Sequence, residues 1–226
     1  MNKWHFAIIA LCIVCAHCTR FDEYKKYAPD GEIIYPQKPD SLKTYPGKNR
    51  IQLEWVIADP KVTSCQIVYE QGGIRGDTTV LIQDGDDGND TIRVIIPHLE
   101  ETNYRFKIIS CDDFGHTSVT VETEEQAYGE IYERSLFNRE LKNKEYNPVE
   151  GLTMEWYQAN DGEIGVKLEY TDKNGMPQTI IMDATGTVIN IPDFNIDEPL
   201  MYSSMYKPVP SAIDTFYTQK VVERFE

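Results

Sequence analysis

The stretch TIRVIIPHLEETNYRFKIISCDDFGHTSVTVE, residues 91–122, decides the fold of this chain. It contains alternating apolar and polar residues on both sides of a turn at Leu99, and a further run after Gly115. Alternation with a period of two residues is typical of β-strands that bury one face and expose the other. In the middle run, Tyr104 and Phe106 share the apolar side. The stretch therefore predicts successive strands of a β-sandwich.

These strands resemble the E, F and G strands of a fibronectin type III domain. In that family the tyrosine after the turn, here Tyr104, forms a tyrosine corner in which its hydroxyl bonds to nearby backbone. Trp55 matches the B-strand tryptophan, and Ile67 with Tyr69 matches the C strand. The resemblance covers residues 49–123 and implies a sandwich, but a fold alone does not imply a function.

The second half of the chain repeats this layout. LEW (53–55) is answered by MEW (154–156), and CQIVYEQGG (65–73) by VKLEYTDKNG (166–175), so that Trp156 lies 101 residues after Trp55. VIIPHL is likewise answered by VINIPDF. The sequence therefore predicts an all-β protein with two tandem fibronectin-type-III or immunoglobulin-like antiparallel sandwiches. We assign residues 32–123 to the first sandwich and 124–226 to the second, which is divergent.

Three segments are harder to interpret. GEIIYPQKPDSLKTYPG, residues 31–47, is expected to be an irregular edge strand because of its prolines. YERSLFNRELKNKEYN, residues 132–147, favours a strand followed by a turn, with a short helix as the alternative. The strands after Phe194 follow no clear motif. Residues 123–132 form no Gly/Ser-rich or Pro-rich linker, so the two sandwiches should abut with restricted hinge motion.

The N-terminus has the layout of a secretory signal, with Lys3 before an apolar run from Phe6 to Ala16. The run is too short to span a bilayer, which needs about 20 residues. An ordinary signal peptidase could cleave after Ala16, whereas a lipoprotein peptidase would make Cys18 the lipidated N-terminus. We prefer the lipoprotein interpretation, with residues 1–17 as signal peptide and 18–31 as the lipidated cysteine and a stalk.

The charge of the chain restricts its partners. It contains 37 Asp and Glu residues against 22 Lys and Arg residues, a net charge of −15. An acidic protein of this kind is not expected to bind nucleic acid or anionic membrane surfaces. The membrane should instead be reached through the lipid on Cys18, because more than one acyl chain anchors stably.

Two cysteines remain inside the predicted sandwiches, Cys65 and Cys111. Counting by twos, Cys65 shares its face with Ile67 and points to the core, whereas Cys111 is out of phase with Phe106. Their strands are neighbours, so a bulge could bring the two thiols together. Without such a bulge, we expect two free thiols and no disulfide.

The chain offers few groups for metal binding or catalysis. The acidic loop with Asp84, Asp86 and Asp90 could bind calcium weakly, but it lacks the EF-hand glycine, and turn chemistry explains its composition. His98 and His116 lie in or beside predicted turns, and no nucleophile elbow is present. We therefore predict a non-enzymatic protein without a cofactor or metal.

The tyrosines of the irregular C-terminal region are candidates for ligand contact. Tyrosines in the strands are explained by β-propensity and packing. Tyr202, Tyr206 and Tyr217 lie where no regular pattern explains them. Because sugar-binding sandwiches stack hexoses on aromatic rings, we predict these three as ligand-contacting residues.

Four segments together suggest a narrower family. KYAPDGEIIYPQKPDSLKTYPGKNRIQLEW, DDFGHTS, AYGEIYERSL with NRE, and the two Trp strands resemble an uncharacterised family of lipoproteins from glycan-foraging Gram-negative gut commensals. The resemblance implies a lipid anchor at Cys18, an outer-membrane location in the cell envelope, and company with polysaccharide-uptake machinery in some members. It implies no catalytic residue.

The expected function is thus that of a non-enzymatic envelope lipoprotein. It would act as a binding or scaffolding module accessory to polysaccharide capture and uptake, with glycan or envelope proteins as partners. The alternative is a spacer or protein-complex subunit at the outer membrane that has no ligand of its own.

Overall fold

The first sandwich is built from two antiparallel sheets that enclose one apolar core. A computed structural model describes residues 35–82 and 91–225. One sheet has the order β1-β2-β5 and the other β4-β3-β6-β7. The strands are β1 Asp40–Gly47, β2 Arg50–Val56, β3 Val62–Gln71, β4 Ile74–Leu81, β5 Thr91–Ile96, β6 Asn103–Asp112 and β7 Val121–Gln126. This arrangement confirms the predicted fold, although β7 runs three residues beyond the expected boundary at residue 123.

The second sandwich repeats this topology after a short helix, α1 Glu130–Ser135. Its sheets have the orders β8-β9-β12 and β11-β10-β13-β14, and β15 also pairs with β13. The strands are β8 Leu141–Asn147, β9 Gly151–Trp156, β10 Glu163–Thr171, β11 Pro177–Asp183, β12 Val188–Ile191, β13 Leu200–Tyr206, β14 Phe216–Tyr217 and β15 Val221–Glu223. The Trp strands β2 and β9 both occupy the middle of a three-stranded sheet, so they are equivalent, as the repeat predicted.

The core follows from the alternation seen in the sequence. In β2, Ile51, Leu53 and Trp55 are fully buried, while the residues between them are half-exposed. Trp156 is 1% exposed at the equivalent place in the second core. Full burial of an aliphatic side chain such as Ile51 or Leu53 contributes about 1.5–3 kcal/mol. Among the residues that the structure describes, the two tryptophan indoles are the buried side-chain groups without a hydrogen-bond partner.

The tyrosine corner of the first sandwich forms as predicted. The backbone amide of Glu100 donates a hydrogen bond of 2.9 Å to the Tyr104 hydroxyl. The Tyr104 ring packs 6.3 Å from the Phe106 ring and 6.4 Å from Tyr69, measured between centroids. Burial raises the pKa of the Tyr104 hydroxyl, so it stays protonated.

The two cysteines occupy opposite faces of their sheet. Cys65 is fully buried and lies opposite Ser110, with its Sγ 3.7 Å from the Ser110 Oγ. Cys111 lies opposite Ser64 and is half-buried. The register shift of this strand pair falls between Val62 and Ser64, so it does not turn Cys111 toward the core. Burial raises the pKa of the Cys65 thiol.

The last strand pair also repeats, which the sequence pattern did not reveal. In the first sandwich, the backbone amide of buried Ser110 donates to Ser118 Oγ at 3.0 Å. In the second, the amide of buried Ser204 donates to Thr218 Oγ1 at 2.9 Å. The two partners are 8 residues apart in one copy and 14 in the other. This unequal spacing hides the equivalence from a search at a fixed offset.

The preferred prediction for residues 132–147 was wrong over its first residues. Glu130–Ser135 is helical, and the strand β8 begins at Leu141. The Glu101 carboxylate accepts hydrogen bonds of 2.7 Å from the backbone amides of Ile131 and of Tyr132. Glu101 therefore satisfies the first turn of the helix from a distant position in the sequence, whereas Gly129 offers no capping side chain.

Candidate functional site: the junction between the sandwiches

The junction begins at the tight turn between β1 and β2. Asn49 adopts a left-handed conformation with a φ of 53°. Its backbone amide donates to the Tyr128 carbonyl at 2.7 Å, and the Tyr128 amide donates to the Gly47 carbonyl at 3.1 Å. The Asn49 side chain donates to the Leu99 carbonyl at 2.9 Å. The turn thus holds the segment that leads from β7 into the second sandwich.

Asp214 joins the second sandwich to the same turn. Its Oδ2 accepts hydrogen bonds from the Lys48 amide at 2.8 Å and from Arg50 Nε at 2.9 Å. Its Oδ1 accepts one from Arg50 Nη2 at 2.6 Å. This bidentate contact is the strongest hydrogen-bonding geometry between an arginine and a carboxylate. The Arg50 guanidinium holds the pKa of the Asp214 carboxyl below its usual value.

Backbone contact and close packing accompany this ion pair. The Ile213 amide donates to the Pro46 carbonyl at 2.8 Å, which is a main-chain bond between the sandwiches. A Cβ at Gly47 would lie 2.4 Å from Asp214 Oδ2 and 2.8 Å from the Ile213 side chain. A larger residue at position 47 would therefore displace the Asp214 carboxylate and the Ile213 side chain from their present positions.

An aromatic cluster fills the centre of the junction. The Tyr132 ring of α1 lies 5.0 Å from the Phe216 ring and 5.1 Å from the Tyr128 ring, both in edge-to-face geometry. Phe216 is fully buried. At the rim, Lys48 Nζ forms a salt bridge of 2.6 Å with Glu133 Oε2. Residues from both sandwiches and from α1 therefore form one packed interface.

We expect Asp214→Ala to lower the free energy of unfolding by about 1–3 kcal/mol at pH 7, because the variant loses charge-assisted bonds to Arg50. The folded-state pKa of Asp214 is below its unfolded value. The contribution is therefore present above the unfolded pKa of about 3.9 and is lost as pH falls through the folded pKa. Urea unfolding at pH 7 and pH 3.5 measures the difference.

The matched control for this prediction is Asp113→Ala, which removes an exposed carboxylate from a turn of the first sandwich. It should change stability by no more than about 0.5 kcal/mol. A difference between Asp214→Ala and the native chain that stays constant from pH 7 to pH 3.5 would contradict the assigned role of the Asp214 charge.

A buried polar cluster lies beside the junction, where β8 begins. The side chains of Arg139 and Glu163 are both fully buried, with Arg139 Nε 2.7 Å from Glu163 Oε1. Arg139 also donates to the carbonyls of Gly186 at 2.7 Å and Ala184 at 3.3 Å. The other carboxylate oxygen of Glu163 accepts from the Asn160 amide and side chain at 3.1 Å. Full pairing is what allows two charges to remain in the core.

Asn138 and Tyr206 hold the segment before β8. Tyr206 donates to the Phe137 carbonyl at 2.7 Å and accepts from Asn160 Nδ2 at 3.0 Å. Asn138 Nδ2 donates to the Gln219 carbonyl at 2.8 Å, and its Oδ1 accepts from the Ser204 amide at 3.0 Å. Asn138 and Arg139 belong to the NRE motif that carried part of the sequence resemblance, and the structure assigns both a packing role.

The prediction that Tyr202 and Tyr206 contact a ligand is wrong for this structure. Tyr202 is 5% exposed and packs edge-to-face 6.1 Å from Trp156, and Tyr206 is 3% exposed. Burial raises the pKa of both hydroxyls. Alternation along β13 directs both rings inward. Tyr217 is 43% exposed on β14, opposite Met205, and is the member of the predicted set that solvent reaches.

The remaining predicted site residues fall into two groups. Asp84, Asp86, Asp90 and Cys18 lie outside the described residues. His98 is exposed at a bend, and His116 Nδ1 lies 2.7 Å from Asp112 Oδ2 in a turn. Within residues 35–82 and 91–225, no three His, Cys, Asp or Glu side chains are arranged to hold a metal ion.

Two shallow clefts are present on the described surface. One of about 320 Å³ lies between the end of α1 and the residues that follow β14, and is lined by Glu133, Leu136, Phe137, Thr218 and other residues. The other, of about 330 Å³, lies at the β3–β4 hairpin. Neither contains Tyr217 in its lining. In the described part of the chain, no helix is long and apolar enough to cross a membrane.

These features define a protein of two tandem fibronectin-type-III-like sandwiches. The chain belongs to DUF4998, a domain of unknown function, whose sequence profile matches residues 18–216. No curated protein matches the chain.

Solved structures of similar fold include a two-domain fibronectin type III segment of chicken tenascin. It is 12% identical, with 83% of this chain and 98% of that chain covered and a TM-score of 0.35. The FN1–FN3 domains of chicken CNTN1 are 7% identical, covering 84% of this chain and 64% of that chain, with a TM-score of 0.47. A myokine structure is 15% identical, covering 41% of this chain and 98% of that chain, with a TM-score of 0.31.

Proposed function

We propose that this protein is a non-enzymatic lipoprotein of the cell envelope, held at the outer membrane by lipid on Cys18. It acts as a rigid two-sandwich module for binding or scaffolding, accessory to polysaccharide capture and uptake. The observation that carries the scaffolding role is the packed junction, in which Asp214 and Phe216 of the second sandwich contact Arg50 and Tyr128. Two domains that do not move relative to each other would hold a bound glycan or protein at a fixed distance from the lipid anchor.

The composition of the chain supports this proposal. The apolar run from Phe6 to Ala16 directs export, and Cys18 follows it at the point where a lipid would be attached. The net charge of −15 keeps a surface protein soluble and disfavours adsorption to anionic lipid, so that attachment depends on the acyl chains. Residues 18–31, between the lipidated cysteine and the first sandwich, serve as a stalk.

The alternative function is a spacer or protein-complex subunit with no ligand of its own. It is favoured by the burial of Tyr202 and Tyr206, which leaves Tyr217 as the remaining aromatic candidate of the predicted set. Affinity gels that contain polysaccharide distinguish the two functions. Glycan capture retards the protein in proportion to the polysaccharide content, whereas a spacer migrates unchanged and is recovered with an envelope protein after crosslinking on cells.

The anchor is tested by expressing the full chain and its Cys18→Ala variant in a Gram-negative host. We expect the native chain to sediment with membranes and to carry diacylglycerol plus an acyl chain in its intact mass. The variant should lose that mass and leave the membrane fraction, because it has no thiol to which the lipid can be attached. Fractionation and intact-mass spectrometry measure both properties.

Cys12→Ala is the matched control, since this cysteine lies inside the apolar run of the signal. It should remain acylated and membrane-bound. The anchor proposal fails if Cys18→Ala still sediments with membranes and the native chain carries no acyl mass.

A further inference from the structure

Strand β4 is the longest regular edge in the described part of the protein. It pairs with β3 at every position from the Gln71–Ile74 pair to the Ser64–Leu81 pair, without a register shift. The two glycines of the connecting turn, Gly72 and Gly73, both have positive φ, as a two-residue hairpin requires. The strand has eight residues and contains no proline or lysine. On its other side no described strand pairs with it.

The other long edges each carry a feature that discourages pairing. Strand β1 and strand β8 have register shifts, and β11 begins at a proline. Strand β7 carries three glutamates in six residues, and β5 and β12 are shorter and are followed by prolines. Such features are the usual protection against edge-to-edge association. Strand β4 has no register shift, no proline and no run of like charges, and its two charged residues, Arg75 and Asp77, are of opposite sign.

The outward backbone groups of β4 follow from its pairing with β3. The Ile82 amide donates to the Thr63 carbonyl at 2.9 Å, and Ile74 closes the two-residue turn. In an antiparallel ladder, residues alternate between bonding to one side and the other. The even-numbered residues therefore bond to β3. The residues whose amides and carbonyls point away are Arg75, Asp77, Thr79 and Leu81.

These outward groups are complementary to a second copy of themselves. When two β4 strands run antiparallel about a two-fold axis at Thr78, Asp77 pairs with Thr79 of the second copy and Arg75 pairs with Leu81 of the second copy. Each such pair exchanges two hydrogen bonds, which gives about eight across the edge. In this register no like charges lie directly opposite each other, and Asp77 lies diagonally across the axis from Asp77 of the second copy. The two four-stranded sheets become one continuous sheet.

Side chains on β4 also become covered in this register. Leu81 is 74% exposed and Ile74 is 67% exposed, one at each end of the strand. Pairing places Leu81 against the aliphatic part of Arg75 of the second copy. It places Ile74 opposite Ile82 of the second copy.

The charges near this edge are balanced, although the whole chain is acidic. Across the outer face, Arg75 lies opposite Glu70, Glu70 opposite Arg105, and Arg105 opposite Glu124. At physiological ionic strength, charges separated by more than about 8 Å are largely screened. We propose that two copies of this protein associate through their β4 edges, an inference that rests on the proposed scaffolding role and gives it a partner.

Disulfide trapping of the full-length chain on cells tests the register. Thr78→Cys places two cysteines at the axis, in a pair whose Cα atoms are about 4.5 Å apart, which a disulfide can bridge. Arg75→Cys is the control. Position 75 lies opposite position 81 of the second copy, so the two copies of residue 75 are six residues, or about 20 Å, apart along the strands. Both variants carry Cys111→Ser to remove the half-buried thiol. We expect mild oxidation to shift most of the Thr78→Cys protein to a dimer and to leave Arg75→Cys monomeric.

Proline substitutions test the edge without new thiols. Thr79→Pro removes an outward amide of β4 and leaves the ladder to β3 intact, a place where proline is tolerated. Thr179→Pro is the matched control on β11, where Thr179 is exposed and faces away from β10. In sedimentation of the detergent-solubilised full chain, we expect Thr79→Pro to weaken dimerisation at least tenfold and Thr179→Pro to leave it unchanged.

The inference is overturned if Thr78→Cys stays monomeric on oxidation, if Arg75→Cys crosslinks equally, or if Thr179→Pro weakens association as much as Thr79→Pro. Acylation and membrane fractionation of these variants are measured in parallel. If the variants have a normal acyl mass but do not crosslink, the proposed pairing of two copies is rejected and the lipid-anchor proposal is unaffected.

Discussion

Arg139→Ala is expected to lower the free energy of unfolding by about 3–5 kcal/mol, because it leaves the Glu163 carboxylate buried without its charged partner. Both side chains are fully buried and lie 2.7 Å apart. The variant also releases the Gly186 and Ala184 carbonyls that Arg139 holds. Urea unfolding followed by tryptophan fluorescence measures the loss, since Trp156 lies in the same sandwich.

The double variant Arg139→Met with Glu163→Leu is the matched control. Replacing both charges with apolar groups of similar size removes the desolvated carboxylate, so most of the lost stability should return. A double variant that is as unstable as Arg139→Ala would contradict this explanation. It would show that the bonds of Arg139 to the 184–186 loop, and not the charge pair, hold this end of the sandwich.

Phe216→Ala is expected to cost about 3–5 kcal/mol and to uncouple the two sandwiches. Phe216 is fully buried between Tyr128 and Tyr132, so its removal leaves a cavity at the centre of the junction. In calorimetry, the native chain should unfold in one transition because the interface couples the two cores. The variant should unfold in two, with the second sandwich melting first.

Phe137→Ala is the control for this prediction, since it removes the same kind of side chain from a position that is 77% exposed. Its effect should stay within about 0.5 kcal/mol, with a single transition. Two separate transitions in the native chain would contradict the coupling, and would reduce the junction to a contact between independent domains.

The junction is the feature that supports the proposed scaffolding role of the two sandwiches. Interfaces between domains of one chain are commonly small and polar, and relative motion is the default expectation. Here a main-chain bond, a two-pronged ion pair and an aromatic cluster lie together around Asp214 and Phe216. The sequence predicted restricted hinge motion from the lack of a flexible linker, and these are the contacts that would restrain it; the calorimetry of Phe216→Ala tests that prediction.

The strand pattern could be predicted because burial in a sandwich imposes a period of two on the sequence. Ile51, Leu53 and Trp55 alternate with polar residues, and the structure buries all three. Tyr104 was placed correctly because its partner, the Glu100 amide, is only four residues away. Trp156 could be predicted from its match to Trp55.

The C-terminal tyrosines show the limit of such reasoning. Tyr202 and Tyr206 looked irregular because Ser203 and Ser204 interrupt the apolar alternation of β13. Ser204 is buried all the same, because Thr218 and Asn138 satisfy its amide and Arg139 donates to its hydroxyl. A buried polar residue with distant partners cannot be told from an exposed one by periodicity.

The sequence by itself determined the all-β class, the two tandem sandwiches, the tyrosine corner and the inward tryptophans. Each of these depends on local alternation, on neighbours a few residues away, or on the repeat of one pattern along the chain. The tertiary structure alone decided helix α1, the Arg50–Asp214 pair and the Arg139–Glu163 pair, whose partners are separated by 24 to 164 residues. Charged residues at such separations carry no periodic signal, because only the tertiary packing brings them next to each other.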